Sequence, residues 1–444
     1  MFSRSQLTHL IVPLMIQQIL VMLVGMLDTV MVSYAGEAAI SGVSLVNEVN
    51  YLIIAVFDAL GAGGSVVIAQ YLGNRDKKNA DVSASQLVMI SILVPLVLGI
   101  LCFVFCRQIL SALYGQINSD VMEAAVTYFW ITAISFPFLG LYDSCNALFR
   151  SMSRTKEIMY TSILMNIINV IGNYIGVYIL HLGAAGVAWP TVLSRAVAAL
   201  IMMKMSLHEE NEVSVEMDDV FAWKPAVLKK ILQIAVPNAL ENGLFQLGRV
   251  IVTIFVATYG TVQIAANGVA NGLGNLTYIG DNALGLAIMT VVGQCVGAND
   301  YEQARKYAVK LTVISQIIEA VECVIVYFTL PWTMQMYTMT AETQAVVRQI
   351  LVWNCLTTGL IHSTAFVLPN ALRAAGDVRY TMIVGVASMF CVRITGAWLM
   401  GSMLGLHSMG VWFAMYCDWV VRILFFVHRF RSGKWKNYRI IEAA

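Results

Sequence analysis

Charge is scarce in this sequence. Asp, Glu, Lys and Arg make up 12% of its 444 residues, about half the roughly 25% usual in a soluble domain. Acids and bases nearly cancel, to a formal +1, and no basic run interleaved with aromatics offers itself to a nucleic acid, so that class of partner is dropped. Sustained apolar–polar alternation is missing too, which excludes a sheet protein. Cysteines number eight, almost all in apolar stretches. Cys102 and Cys106 stand one helical turn apart without the His or second Cys pair that tetrahedral zinc requires, so they read as small core residues and no metal site is expected. No Walker-type phosphate loop occurs, which argues against ATP-driven chemistry within the chain and leaves no cofactor to expect.

What is present is hydrophobicity: 59% of residues are apolar and the mean hydropathy is +0.74. A membrane-spanning helix needs roughly 20 predominantly apolar residues. Segments of that kind fall at roughly 10–34, 44–71, 84–106, 121–142, 157–180 and 186–206, and again at roughly 228–258, 267–297, 306–330, 344–367, 379–401 and 409–430. The expected class is all-α: a polytopic membrane protein of twelve transmembrane helices. Between the two sets of six lies the most polar stretch in the chain, HEENEVSVEMDDVFAWKP. The domain reading is therefore 1–207 for an N-lobe, 208–226 for a cytoplasmic linker and 227–444 for a C-lobe. The first apolar segment reads as a span, being too long for a cleaved leader.

Loops after even-numbered segments hold Arg75, Lys77 and Lys78, then Arg150, Arg154 and Lys156, then Lys224, Lys229 and Lys230, with Arg429, Arg431, Lys434 and Lys436 in the tail. Loops after odd-numbered segments hold almost none, Arg107 and Arg348 being exceptions at helix ends. The positive-inside rule then places both termini and the linker in the cytoplasm, with the plasma (inner) membrane as the expected location.

The chain also repeats itself. A shift of 224 aligns 11–80 with 235–304 without a gap, with 18 of 70 positions identical, among them Pro13/Pro237, Gly36/Gly260, Asn47/Asn271, Gly61/Gly285, Gln70/Gln294, Gly73/Gly297, Asp76/Asp300 and Ala80/Ala304. Gly186-Val187 answers Gly410-Val411 at the same offset. An even number of spans per copy gives both copies the same orientation. That predicts two pseudo-symmetric six-helix bundles with a central cleft, the usual basis of alternating access. Gly73 and Gly297 close their helices before charged loops, and each reads as a helix C-cap.

Acids at membrane depth cost about 2.5–3.5 kcal/mol on insertion scales and mark function by default. Asp28 lies in the middle of the first span, and Asn166, Asn169 and Asn173 share one face of the fifth. Together they read as a cation-coupling set, because a carboxyl in low-dielectric surroundings can load and release a proton near neutral pH and carboxamide oxygens can share a proton or ligate Na⁺. The competing role for Asp28 is to hydrogen-bond the asparagines and glue two helices together. In the second half Glu241, Asp281, Arg393 and His362 read as a substrate or second-cation set, with Glu241, Asp281 and Arg393 expected in one buried network. Asp418 and Arg422 form a helical i, i+4 pair. Glu319 and Glu322 share a helix face without an evident cation partner. His362 is the one histidine well placed at membrane depth. That is too little for an intramembrane enzyme, so no catalytic residue is expected.

These residues resemble a family, the multidrug and toxic compound extrusion (MATE) transporters. The likeness rests on Leu27-Asp28-Thr29-Val30-Met31-Val32 closing the first span and Ala69-Gln70-Tyr71-Leu72-Gly73 closing the second. Their echoes are Gly293-Gln294-Cys295-Val296-Gly297 and the pair Leu148-Phe149-Arg150 and Ala371-Leu372-Arg373-Ala374-Ala375-Gly376-Asp377. The resemblance implies a V-shaped pair of bundles, expected as a monomer among membrane lipid, exporting organic cations in exchange for H⁺ or Na⁺. It implies that Asp28, with Asn169 and Asn173, occupies an N-lobe cation site, Asn173 being neutral where some members carry a second acid. A seventh-span acid of Na⁺-coupled members would fall near Phe245, one turn beyond Glu241, and their tenth-span acid is replaced by His362. The alternative is a lipid-linked oligosaccharide flippase of the same superfamily, which would need several unpaired intramembrane cations to hold pyrophosphate. Arg195, Arg249 and Arg393 are the deep candidates.

Overall fold

The computed structural model describes residues 2–115, 117–335, 337 and 339–441. Eleven helices are long and apolar enough to span a bilayer: α1 (Arg4–Ser33), α2 (Glu37–Gly73), α3 (Lys77–Val104), α5 (Thr155–Ile179), α6 (Ala185–Ser206), α7 (Pro225–Ala257), α8 (Thr261–Gly297), α9 (Tyr301–Gln335), α10 (Ala341–Ala374), α11 (Val378–Met403) and α12 (His407–Arg431). The fourth span, α4, is a pair, Ser119–Ile134 and Phe136–Ser151, bent by 48°. The bend falls where Pro137 occupies the first turn of the second segment, since proline withholds the N–H that would continue the preceding helix. The count of twelve and the absence of strands among the described residues match the sequence reading. The helices overrun its hydropathy limits: α2 and α8 begin at Glu37 and Thr261, before the apolar runs do.

Some of the repeated residues sit at helix ends. Gly36 and Gly260 precede α2 and α8 with φ of 105° and 94°, a backbone region essentially closed to other residues. Asp76 and Asp300 accept the backbone N–H of Asn79 and Gln303 at 3.1 and 3.0 Å, capping α3 and α9. The reading of Gly73 and Gly297 as helix C-caps is corrected: the cap positions are Asn74 and Ala298. Both glycines end their helices in ordinary conformation, and the left-handed residues are Arg75 and Asn299, with φ of 58° and 61°.

The chain forms two compact units, 2–239 and 240–444, parting inside α7. In the first, α1 packs on α5, α5 on α6, and α2 on α3 and α4, while α3 and α6 meet the second segment of α4. Leu10, Leu14, Phe57, Leu87, Phe129, Phe136 and Phe149 fill its interior. The polar stretch after α6 is strapped to α3. Asp81 accepts Ser214 N–H at 2.8 Å, and the Gln86 amide donates to the carbonyls of Asp219 and Ala222 and accepts Lys224 N–H. In the second unit α9 packs on α8 and α10, and α12 on α10 and α11. Trp412, Trp419, Ile350 and Leu351 are in its core. Outward faces are apolar in both. On α9, Ile317, Val321, Phe328 and Trp332 are each more than half exposed, which lipid rewards and water would not.

Candidate functional site

Asp28 and the asparagine face of α5 come together. Asn173 Nδ2 donates to Asp28 Oδ1 at 2.7 Å and to Asn169 Oδ1 at 3.1 Å. Asn169 Nδ2 donates in turn to Thr191 Oγ1 at 3.2 Å. A single hydrogen-bonded string thus runs from α6 through α5 to the acid of α1. Two local features set it up. The last turns of α5, Ile175–Ile179, are π-helical, a widening that often accompanies function. Gly176 and Gly186 also bring the α5 and α6 backbones close: a Cβ added at Gly186 would lie 2.7 Å from the carbonyl carbon of Gly176. Asn173 is fully buried and its Oδ1 has no hydrogen-bond partner, so with the Asp28 carboxylate it offers oxygen acceptors to a small cation. Asn166 is buried on the same face but outside the string, its Nδ2 unpartnered. Thr191 was not foreseen. It lies one span away, and nothing in its own sequence context sets it apart from other membrane threonines. Arg195, within electrostatic range of Asp28, is engaged with Ser135 Oγ at 2.7 Å.

The second-half candidates do not form one network. Glu241 Oε1 is paired with Arg373 Nη2 at 2.7 Å, and Arg373 also bonds Asn370 Oδ1. The expected Glu241–Asp281–Arg393 grouping is therefore corrected, because the register of α7 aims Glu241 at Arg373 in the last turn of α10. Arg393 stacks on Phe245, 5.5 Å from the ring centre, and Arg422 lies over the same ring at 5.4 Å. Arg422 is held by Asp418 at 3.1 Å and by the Gly385 carbonyl.

Asp281 instead meets His362. The Nδ1 of His362 is 2.7 Å from Asp281 Oδ2 and 2.6 Å from Glu319 Oε1. These three buried side chains come from α8, α9 and α10, with ligand atoms all within 4.8 Å of one another. Ser315 and Ser363 hydroxyls bond Asp281 Oδ1 at 2.6 and 2.5 Å. Ser363 N–H and the Gln316 amide donate to Glu319 Oε2. The His362 ring lies against Tyr278 and Phe366, stacked at 4.5 and 4.4 Å, with Trp419 edge-on at 4.7 Å. The missing partner of Glu319 is thus His362. The signal in the sequence was two acids in one apolar span. Glu322 accepts Gly280 N–H at 3.0 Å, near the triad but outside it. The arrangement can bind one small cation, proton or metal ion.

Known proteins share this architecture. The MatE family model matches twice, over residues 13–175 and 237–399, the two matches starting and ending 224 residues apart, which is the offset of the internal repeat. An uncharacterised transporter of Bacillus subtilis strain 168, YisQ, is 26% identical over 98% of this chain and 95% of its own length. A probable multidrug resistance protein, NorM, of Thermotoga maritima is 24% identical over 99% and 94%. A crystal structure of MATE in the bent conformation superposes with a TM-score of 0.88 at 20% identity, covering 98% of this chain and 96% of the other. An outward-facing multidrug resistance MATE family transporter of the MOP superfamily gives the same score over 97% and 96%. Matched in both halves and carrying the family's helical plan throughout, the chain belongs to the MatE family of membrane transporters.

Proposed function

We propose that the protein is a secondary antiporter that exports organic cations or drugs in exchange for H⁺ or Na⁺ by alternating access, with the coupling ion at Asp28. The observation that carries this is the string Thr191–Asn169–Asn173–Asp28, ending in an acid and in the unpartnered Asn173 Oδ1. A cation there would be held by α1 and α5 together. It would add to the Asn173–Asp28 hydrogen bond that already joins them, so ion occupancy biases the equilibrium between states that grip it differently. The names of the relatives, among them NorM of Thermotoga maritima and a multidrug and toxin extrusion protein of Oryctolagus cuniculus 24% identical over 89% of this chain, favour a xenobiotic cargo. The flippase gains no support. Of the deep arginines, Arg195 is bonded to Ser135 and Arg393 stacks on Phe245.

The test is efflux of a fluorescent organic cation from proteoliposomes under Na⁺ and H⁺ gradients imposed separately. One gradient is expected to drive efflux by the natural protein and to drive none by Asp28→Asn inserted at the same level. Full efflux by Asp28→Asn would sink the coupling role of Asp28. Indifference to both gradients would sink the antiporter.

A further inference from the structure

We propose that the groove between the strap after α6 and the first turns of α7 binds an anionic phospholipid, one acyl chain lying in the groove and the headgroup phosphate at Lys229. The site lies wholly within residues 2–239 and is independent of the antiport reading.

The groove measures about 440 Å³, within the roughly 300–1,000 Å³ of small-molecule sites. Its apolar walls are Ile90 of α3, Trp223 at the end of the strap, and Pro225, Leu228 and Leu232 of α7. Lys229 and Gln233, one turn apart on α7, are its polar lining. The sequence builds it locally. Pro225 opens α7, where its missing N–H costs nothing and its fixed φ suits a first helical turn. Gln86 of α3 bonds the Ala222 carbonyl and the Lys224 N–H. Trp223 is thereby pinned from both sides, yet it stays 63% exposed, and Phe221 beside it is 81% exposed.

Two exposed aromatics next to a charged loop are costly in water and at home at the level of lipid headgroups. The surrounding surface gives the same depth. Along α3 the strap's bonds run from Asp81 to Gln86, and exposed apolar positions begin at Leu93. Ile90 falls between them. On α7 the change comes between Lys229 and Val236, which is half exposed. The groove thus opens where polar surface gives way to lipid-facing surface, and acyl chains are the apolar molecules abundant there.

Charge selects the headgroup. Lys224 is paired with Asp219 at 2.6 Å, and Lys230 donates to Tyr71 Oη at 2.8 Å. Lys229 has no ion-pair or hydrogen-bond partner among the described residues. An unpaired ammonium at the rim repels an organic cation and attracts an amphiphile with an anionic head. The groove walls are no more apolar than other lipid chains, so the chain alone confers little preference, and selectivity rests on the phosphate at Lys229. A chain in place would pack Trp223 against Leu228 and Leu232, pressing the strap onto the helix inside which the two units part.

The experiment is native mass spectrometry of the full-length protein in detergent, delipidated and then titrated with phosphatidylglycerol or with phosphatidylcholine of the same chains. The natural protein is expected to take up one phosphatidylglycerol ahead of phosphatidylcholine. Lys229→Gln should bind phosphatidylglycerol about fivefold more weakly, the worth of one lysine at an anionic headgroup, and lose the preference. Leu232→Trp, which fills the groove, should lose that first lipid altogether. Lys229 is exposed, so Lys229→Gln tests the site even where Leu232→Trp fails to fold. Lys310→Gln, at an exposed lysine of α9, should bind as the natural protein does. Equal phosphatidylglycerol binding by the natural protein and Lys229→Gln would overturn the proposal. So would an equal loss in Lys310→Gln, since the attraction would then be that of any cationic surface. Glycerol phosphate competing as well as the intact lipid would make this a free-anion site, and dimers abolished by Leu232→Trp would make it an interface between copies. Either result overturns the lipid assignment.

Discussion

Asp28 and Glu241 look alike in sequence, single acids in long apolar helices, and differ in what they touch. Asp28 receives a neutral carboxamide N–H and has no ion-pair partner among the described residues. Glu241 is matched to Arg373 at 2.7 Å. A matched buried pair adds little net stability, but removing one partner exposes the other to the full cost of desolvation, about 3–5 kcal/mol. Arg373→Ala is therefore expected to lower the melting temperature of the detergent-solubilised protein sharply. The Glu241→Gln, Arg373→Gln double variant should recover most of that loss, and an unchanged melting curve for Arg373→Ala would show Glu241 to be uncharged or solvated. At the string that ends on Asp28, Asn173→Ala removes the donor to both Asp28 and Asn169. Ion-driven efflux is expected to fall at least tenfold, about 1.4 kcal/mol of differential binding, with the melting temperature little changed. A large thermal loss with normal residual transport would make the string a structural clasp.

At the scale of elements, the helices were readable because each depends mostly on its own composition. Lipid-length apolar runs are local features, and their repetition 224 residues later marked them twice. The partners of polar residues were not readable, since they depend on the register of one helix against another. His362, Asp281 and Glu319 lie on three spans, and nothing along any one of them says that its polar face meets the other two. The same gap explains why Glu241 was grouped with Asp281. The Gly186/Gly410 repeat shows how such register is fixed. A Cβ at Gly410 would meet the carbonyl carbon of Met400 at 2.5 Å and the nitrogen of Gly401 at 2.6 Å. Both are backbone atoms of the π-helical end of α11, Ala397–Met403, which cannot swing aside as a side chain does. Gly410→Ala is expected to cost about 1–3 kcal/mol, as overpacking does, read as a lowered melting temperature. Gly268→Ala and Gly272→Ala on α8, where an added Cβ meets nothing within 4 Å, should be neutral or slightly stabilising, alanine being the better helix former by up to about 1 kcal/mol. Equal effects at all three positions would mean that the contact does not hold α11 and α12 in register.

For the molecule as a whole, the duplication constrains orientation. Two copies of six spans must enter the membrane the same way, so one observation of sidedness fixes every loop. The charge bias supplies the direction. Arg154 on the α4–α5 side is held by Glu157 and by Asn211 of the strap after α6, so the loops after α4 and α6 are joined on one face. Arg107, an exception to the bias, is already neutralised by Glu123 at 2.8 Å and adds no net positive charge to the opposite face. The positive-inside rule predicts that the even-numbered loops and the tail face the cytoplasm. Alkaline phosphatase, active only outside the cytoplasm, should be active when fused after Leu182, between α5 and α6, and inactive when fused after Ser432. Green fluorescent protein exported through the same pathway, which folds only inside, should show the reverse. Phosphatase activity at Ser432 would invert the molecule. With it would go the direction of export, because the face from which an ion proposed to bind at Asp28 would load is set by the face on which α1 begins.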